Sequence, residues 1–249
     1  MRSAPAANRL IVALDFTDAA GALRMARRLR GVARVVKVGS ALFTACGPDI
    51  VRRLRRMGFG VMLDLKFFDI PSTVELSCRS AARMGVRLLT VHAAGGAEML
   101  AAAAAGARRA RRNAPQVLGV TVLTSVGGTP AVVRRRVVAL ARTVQRAGCG
   151  GVVASAREAA AIRARCGPRL TIVCPGIRAA APSRRGTSSA ARTVPPRSPA
   201  SRDDQARVAT PADALRQGAD FLVVGRPITD AADPRAAARN VLKEMERAC

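Results

Sequence analysis

A chain of 249 residues with 49% hydrophobic side chains is long enough for one large domain with a sizeable core, yet no apolar run reaches the roughly 18 residues of a membrane span. The formal net charge of +26 invites a nucleic-acid reading, but six Phe with no Tyr or Trp leave little to stack on bases, and the basic residues scatter over many helical segments. Six cysteines without a CxxC, beside a single histidine, argue against both a zinc site and a disulfide framework.

The N-terminal stretch MRSAPAANRL runs straight into a strand-like segment with no secretory apolar region, so a cytoplasmic protein is expected. From there, short β-branched runs alternate with longer Ala/Arg/Leu stretches of helical period. The predicted strands are 9–15, 34–39, 59–66, 86–92, 116–124, 150–156, 169–176 and 219–225. Helices are predicted near 18–30, 46–57, 72–84, 96–112, 131–147, 157–165, 210–217 and 234–248. Eight strand–helix units in strict alternation predict an α/β fold, a (β/α)8 TIM barrel, as a single domain over 1–249. An open doubly wound sheet is the structural alternative, but no GxGxxG follows the first strand. One segment breaks the rhythm: 179–204 carries four Pro, five Arg and five Ser, and reads as a disordered lid insertion after strand seven.

Polar residues gather where these strands end: Asp15, Lys37, Asp64, Lys66, His92, Thr124, Ser125, Arg178 and Arg226. In a barrel the C-terminal strand ends form the face that carries active sites. Among 42 basic residues only Lys37, Lys66 and Lys243 are lysine. An ammonium gives up a proton far more readily than a guanidinium, so a lysine that survives amid arginine suggests proton chemistry. Lys243 lies in a polar C-terminal helix and needs no such explanation. Asp64 and Lys66 are two apart, which on a strand turns both side chains to one side. Asp69 follows on the turn, and Pro71 suits the first turn of a helix. A structural ion-pair network at the barrel mouth is the bland alternative; two scarce lysines among carboxylates favour catalysis. His92 is expected to serve as a structural hydrogen-bonding residue, and the cysteines and methionines to be reduced core filler.

The segments LIVALD, VVKVG, MLDLKFFDIPSTV, TVHAAGG, VTVLTS, CPGIR and VVGRPIT together resemble the orotidine 5'-phosphate decarboxylase family, in family order over residues 9 to 230. The resemblance implies cofactor-independent decarboxylation of orotidine 5'-phosphate to UMP, the last step of de novo pyrimidine synthesis, by a homodimer. By position, Lys37, Asp64, Lys66 and Asp69 match the family's charged tetrad, with Lys66 as proton donor and Asp69 entering the partner's site. Asp15 matches a ribose-hydroxyl ligand, and Ile70 and Thr73 a partner-subunit wall. Thr124 and Ser125 match the pyrimidine contacts, and Arg178, Gly225 and Arg226 the phosphate end. Gln205 matches a glutamine that bridges base and phosphate. Phe68 and Ser72 depart from the commoner His and Asn, and the interval from Arg178 to Gln205 is longer than is usual in the family. Two alternatives are a metal-dependent sugar-phosphate decarboxylase or synthase of the same fold family, and a basic nucleic-acid-binding protein on a decayed barrel. The IP after Asp69 and retention of all four tetrad positions argue against them.

Overall fold

The structure is a computed structural model that describes residues 5–110, 114–122, 129–178 and 208–248. After a short helix α1 (Ala6–Arg9) the chain alternates strand and helix. The order is β1 (Leu10–Ala13), α2 (Ala19–Leu29), β2 (Val35–Gly39), α3 (Ser40–Arg56), β3 (Gly60–Phe67), α4 (Pro71–Arg83) and β4 (Leu88–His92). A 3-10 turn (Ala93–Gly95) leads to α5 (Gly96–Arg108), β5 (Gln116–Val120), α6 (Pro130–Arg146), β6 (Gly151–Val153), α7 (Ala156–Cys166) and β7 (Thr171–Cys174). The chain ends with α8 (Pro211–Arg216), β8 (Phe221–Val224), α9 (Arg226–Thr229) and α10 (Pro234–Glu246). All eight strands are parallel, each pairs with its successor, and β8 closes on β1 through Leu10–Leu222 and Val12–Val224. The (β/α)8 barrel expected from the alternation is the fold found.

Local chemistry starts the helices where the sequence allows. Proline lies in the first turn of α4, α6, α8 and α10, where its missing N–H would have had no partner. Asp18 and Asp233 accept backbone N–H groups at the starts of α2 and α10. The element that holds the helix expected near 46–57 begins earlier, at Ser40. Gly47 is non-helical, with a φ of 58°, ahead of Pro48, so α3 is two helical pieces joined at a kink, and the second piece is the helix expected near 46–57. Most strands are shorter than expected, although β3 keeps its expected length; β5, expected from residue 116 onward, ends at Val120, with Thr121 and Val122 outside the strand. The lid expectation for 179–204 concerns residues outside those described. Its described flanks meet: Ile177 and Ala209 form a parallel bridge, and the Arg178 N–H donates to the Ala209 carbonyl at 3.0 Å.

The core has two compartments, separated by strand parity. Outward residues of every strand pack against the helices in one large cluster. Ile11, Ala13, Val35, Met62, Leu88, Leu118, Val173 and Val223 fill the barrel interior. Five cysteines are described and all are free; burial pushes the Cys78 and Cys174 thiols up to about 12 and Cys149 to about 11. They behave as small hydrophobes.

Candidate active site

The parity that fills the barrel also builds its mouth. Side chains two residues apart on a strand share a face, so continuing upward from Ala13, Val35, Met62 and Leu88 leads to Asp15, Lys37, Asp64 with Lys66, and Thr90 with His92. Apolar residues occupy the lower interior positions and charged or polar ones the upper.

Four of these form a line of alternating charge. Lys37 Nζ lies 2.8 Å from Asp15 Oδ1 and 3.7 Å from Asp64 Oδ2, and the same Asp64 oxygen lies 3.0 Å from Lys66 Nζ. Asp64 is the inner member: its side chain is 11% exposed, against 67% for Asp15. A carboxylate this deep needs partners, and it has them. Two ammonium groups flank Oδ2, and the Thr90 hydroxyl donates to Oδ1 at 2.9 Å. The site is held by three strands that pair in register, with Gly39 opposite Asp64. A side chain at Gly39 would place its Cβ 3.1 Å from Lys37 Nζ, so glycine keeps space beside the ammonium.

Lys66 has the only positive φ among the described non-glycine residues, 51°. Its cause is visible in the sheet. Leu63 pairs with Leu89 but Phe67 pairs with Val91, so β3 carries two extra residues over an interval where β4 advances by two. The bulge takes Lys66 out of the ladder, and its N–H donates to Thr90 Oγ1 at 2.9 Å. Two is an even number, so inward and outward faces survive the bulge: Leu65 and Phe67 still pack on the outer core. Thr90 and Gly39 did not stand out in the sequence. The available signal for Thr90 was a lone polar residue inside the apolar run LLTVH, fully buried here.

The remaining expected residues fall in three groups. Asp69, Ile70 and Thr73 lie at the exposed start of α4, where Asp69 Oδ1 accepts the Ile70 N–H at 2.6 Å. Phe68 and Ile70, either side of Asp69, are 63% and 64% exposed. At the β7–β8 side, Arg178 and Arg226 are exposed. Gly225 lies beside Asp15, since a Cβ there would be 3.7 Å from Asp15 Oδ2. Thr124, Ser125 and Gln205 lie outside the described residues.

His92 Nδ1 accepts the Ala94 N–H at 3.3 Å, and its ring lies 5.5 Å from that of Phe68. Partial burial holds its pKa below the ordinary histidine value, and the charges of Lys66 and Arg136 act in the same direction. Among the described residues, no three of His, Cys, Asp and Glu converge as a metal-binding group, and no helix is long and apolar enough to cross a membrane. Arg134, Arg135, Arg142 and Arg165 line a groove of about 450 Å³ between α6 and α7, without an aromatic residue on which a base could stack.

Residues 8–241 match the family described as Orotidine 5'-phosphate decarboxylase / HUMPS family. The orotidine 5'-phosphate decarboxylase of Moorella thermoacetica is 45% identical, over 97% of this chain and 93% of its own. That of Anaeromyxobacter sp. (strain K) is 48% identical, over 94% and 96%. The crystal structure of orotidine 5'-phosphate decarboxylase from Lactobacillus acidophilus superimposes with a TM-score of 0.78 at 30% identity, covering 96% of this chain and 99% of that one.

Proposed function

Given that the chain belongs to the orotidine 5'-phosphate decarboxylase / HUMPS family, we propose that it converts orotidine 5'-phosphate to UMP and CO2, the closing step of de novo pyrimidine synthesis, in the cytoplasm. The observation that carries this reading is the alternating Asp15–Lys37–Asp64–Lys66 line at the barrel mouth, with one ammonium at each side of a buried carboxylate.

The chemistry follows from the charge that develops. When the bond from C6 to the carboxylate breaks, CO2 leaves and the electron pair stays on C6, in the plane of the ring where the π system cannot spread it. Stabilisation therefore falls to fixed charge nearby. Lys66 presents a cation already oriented by Asp64, so little reorganisation is needed as the carbanion forms. Lys66 then transfers a proton to C6, giving UMP, and is reprotonated from solvent. Asp64 lies against the substrate carboxylate before reaction, and that repulsion is relieved as neutral CO2 departs. Lys37, bonded to Asp15, ties the ribose end to the same network.

Phosphate binding is assigned to Arg178, Gly225 and Arg226, in the loops after β7 and β8 where barrels often hold phosphate. Arg226 supplies a planar fork of donors, and glycine at 225 lets the backbone approach. Thr124 and Ser125 are assigned to the pyrimidine, and Gln205 to the bridge between base and phosphate. The working unit is a homodimer in which Asp69 enters the partner's site, with Ile70 and Thr73 as its wall. Support comes from the exposed Phe68 and Ile70 on either side of Asp69, since large exposed apolar side chains mark contact surfaces when they cluster. The lengthened 179–204 segment is assigned as an insertion in the lid. With its flanks joined at Ile177 and Ala209, extra length costs only logarithmically in closure entropy.

The test is ultraviolet-monitored turnover of orotidine 5'-phosphate in the presence of EDTA, comparing wild type with Lys66→Ala. Turnover that survives EDTA and disappears in the variant is expected. Activity restricted to a hexulose phosphate and lost with EDTA would overturn the assignment in favour of a metal-dependent relative.

A further inference from the structure

From the contacts at the β3 bulge, we infer that Thr90 is a positioning residue that sets the orientation of both Asp64 and Lys66. The inference rests on the decarboxylase reading for its kinetic consequence, and on the sheet geometry alone for its structural one.

The bulge creates a problem that β3 cannot solve by itself. It removes the Lys66 N–H from the strand ladder, inside a site where an unpaired backbone donor is costly. It also leaves Asp64, the deepest carboxylate of the mouth, with one oxygen engaged by lysines and the other facing β4. Thr90 answers both needs with one hydroxyl. Its lone pair accepts the Lys66 N–H at 2.9 Å, and its hydrogen goes to Asp64 Oδ1 at 2.9 Å.

The direction of each bond is fixed by chemistry. A backbone N–H can only donate, so Oγ1 must accept from Lys66. The single hydroxyl hydrogen is then available to Asp64, which accepts it as a carboxylate. Thr90 is fully buried, and a β-branched side chain on a strand has restricted χ1, so the hydroxyl is held in place by packing. Its methyl and its hydroxyl therefore have separable roles: one fixes the rotamer and the other makes the two bonds. Asp64 in turn places Lys66 Nζ at 3.0 Å. One side chain on β4 thus determines both the backbone conformation of the proton donor and the placement of its counter-ion. The hydroxyl bonds the Lys66 backbone and the Asp64 carboxylate, so it acts on Lys66 Nζ through these neighbours.

The test uses Thr90→Val, which keeps the shape and removes the hydroxyl, and Thr90→Ser, which keeps the hydroxyl. Misplacing a reacting group by about 1 Å can cost on the order of 100-fold. The expected result is a kcat reduced by about 10- to 100-fold in Thr90→Val with KM within about 3-fold, and near-wild-type kinetics in Thr90→Ser. Thermal melting of each variant identifies a loss of folding, in which case the Ser variant and the structures decide. Equal impairment of both variants would overturn the inference by pointing to the methyl, and so would an unimpaired Val variant. Crystal structures of the two variants supply a readout independent of turnover. Thr90→Val is expected to lose the positive φ at residue 66 or the Lys66–Asp64 pair, and retention of both would overturn the inference. If wild type does not turn over orotidine 5'-phosphate, the functional assignment fails separately, and the structures still decide the role of Thr90.

Discussion

The left-handed backbone at Lys66 can be weighed by comparing Lys66→Ala with Lys66→Gly. Both remove the ammonium and leave Asp64 with Lys37 and Thr90, so electrostatic consequences cancel between them. They differ in Cβ. At a φ of 51° a Cβ crowds the following carbonyl, at a cost of about 1–2 kcal/mol. Glycine avoids that cost but loses more chain freedom on folding, worth roughly 0.5–1 kcal/mol. The difference leaves Lys66→Gly the more stable by about 0.5–1 kcal/mol, a Tm gap of roughly 1–4 °C for a chain of this size. Leu65 is the internal control: it lies in the same strand without a positive φ, so there Leu65→Ala should melt above Leu65→Gly. Scanning calorimetry on the four variants checks the inversion. If alanine is level with or ahead of glycine at 66 as well as at 65, the backbone at 66 is not strained and the bulge argument fails. Both Lys66 variants are expected to lack turnover, which would make residue 66 a place where stability is given up for chemistry.

Three further outcomes follow from the packing and the charges. Gly106→Ala should melt lower by about 4–8 °C, because its Cβ meets the Glu75 backbone of α4, and overpacking of about 3 kcal/mol exceeds a helix-propensity gain near 1 kcal/mol; a raised Tm would show that α4 and α5 separate freely. His92 is held below its ordinary pKa, so its neutral form contributes stability above about pH 6.5 that is lost as pH falls through the folded-state value. The stability difference between wild type and His92→Asn in urea titrations should therefore shrink from pH 7 to pH 5, and a constant difference would contradict the shift. Mixing Lys66→Ala with Asp69→Ala protein should restore partial activity through hybrid sites, and the absence of any recovery would refute a shared site.

What the sequence conveyed about this site, and what it withheld, divide along a physical line. Strand parity is local, so a reader who finds Ile11, Ala13 and Asp15 in alternation can place the first two inside the barrel and the third at its mouth without any neighbour. The same holds for Lys37, Asp64 and Lys66, and the rarity of lysine marked two of them for chemistry. Register is not local. The two extra residues in β3 exist only relative to β4, and nothing between Leu63 and Phe67 announces a left-handed lysine, since the usual sign of one is a glycine. Thr90, twenty-four residues from Lys66, could not be joined to it by spacing. The errors have the same origin. Thr121 and Val122 continue the β-branched composition of β5 but fall outside the strand, whose end is set by its neighbours, and the helical piece before Gly47 shows no boundary of its own against β2 in the sequence. The charge line at the mouth was thus legible because each member is placed by its own strand. What holds Asp64 and Lys66 in position relative to each other is a contact between strands, and that is why it took the closed barrel to expose Thr90.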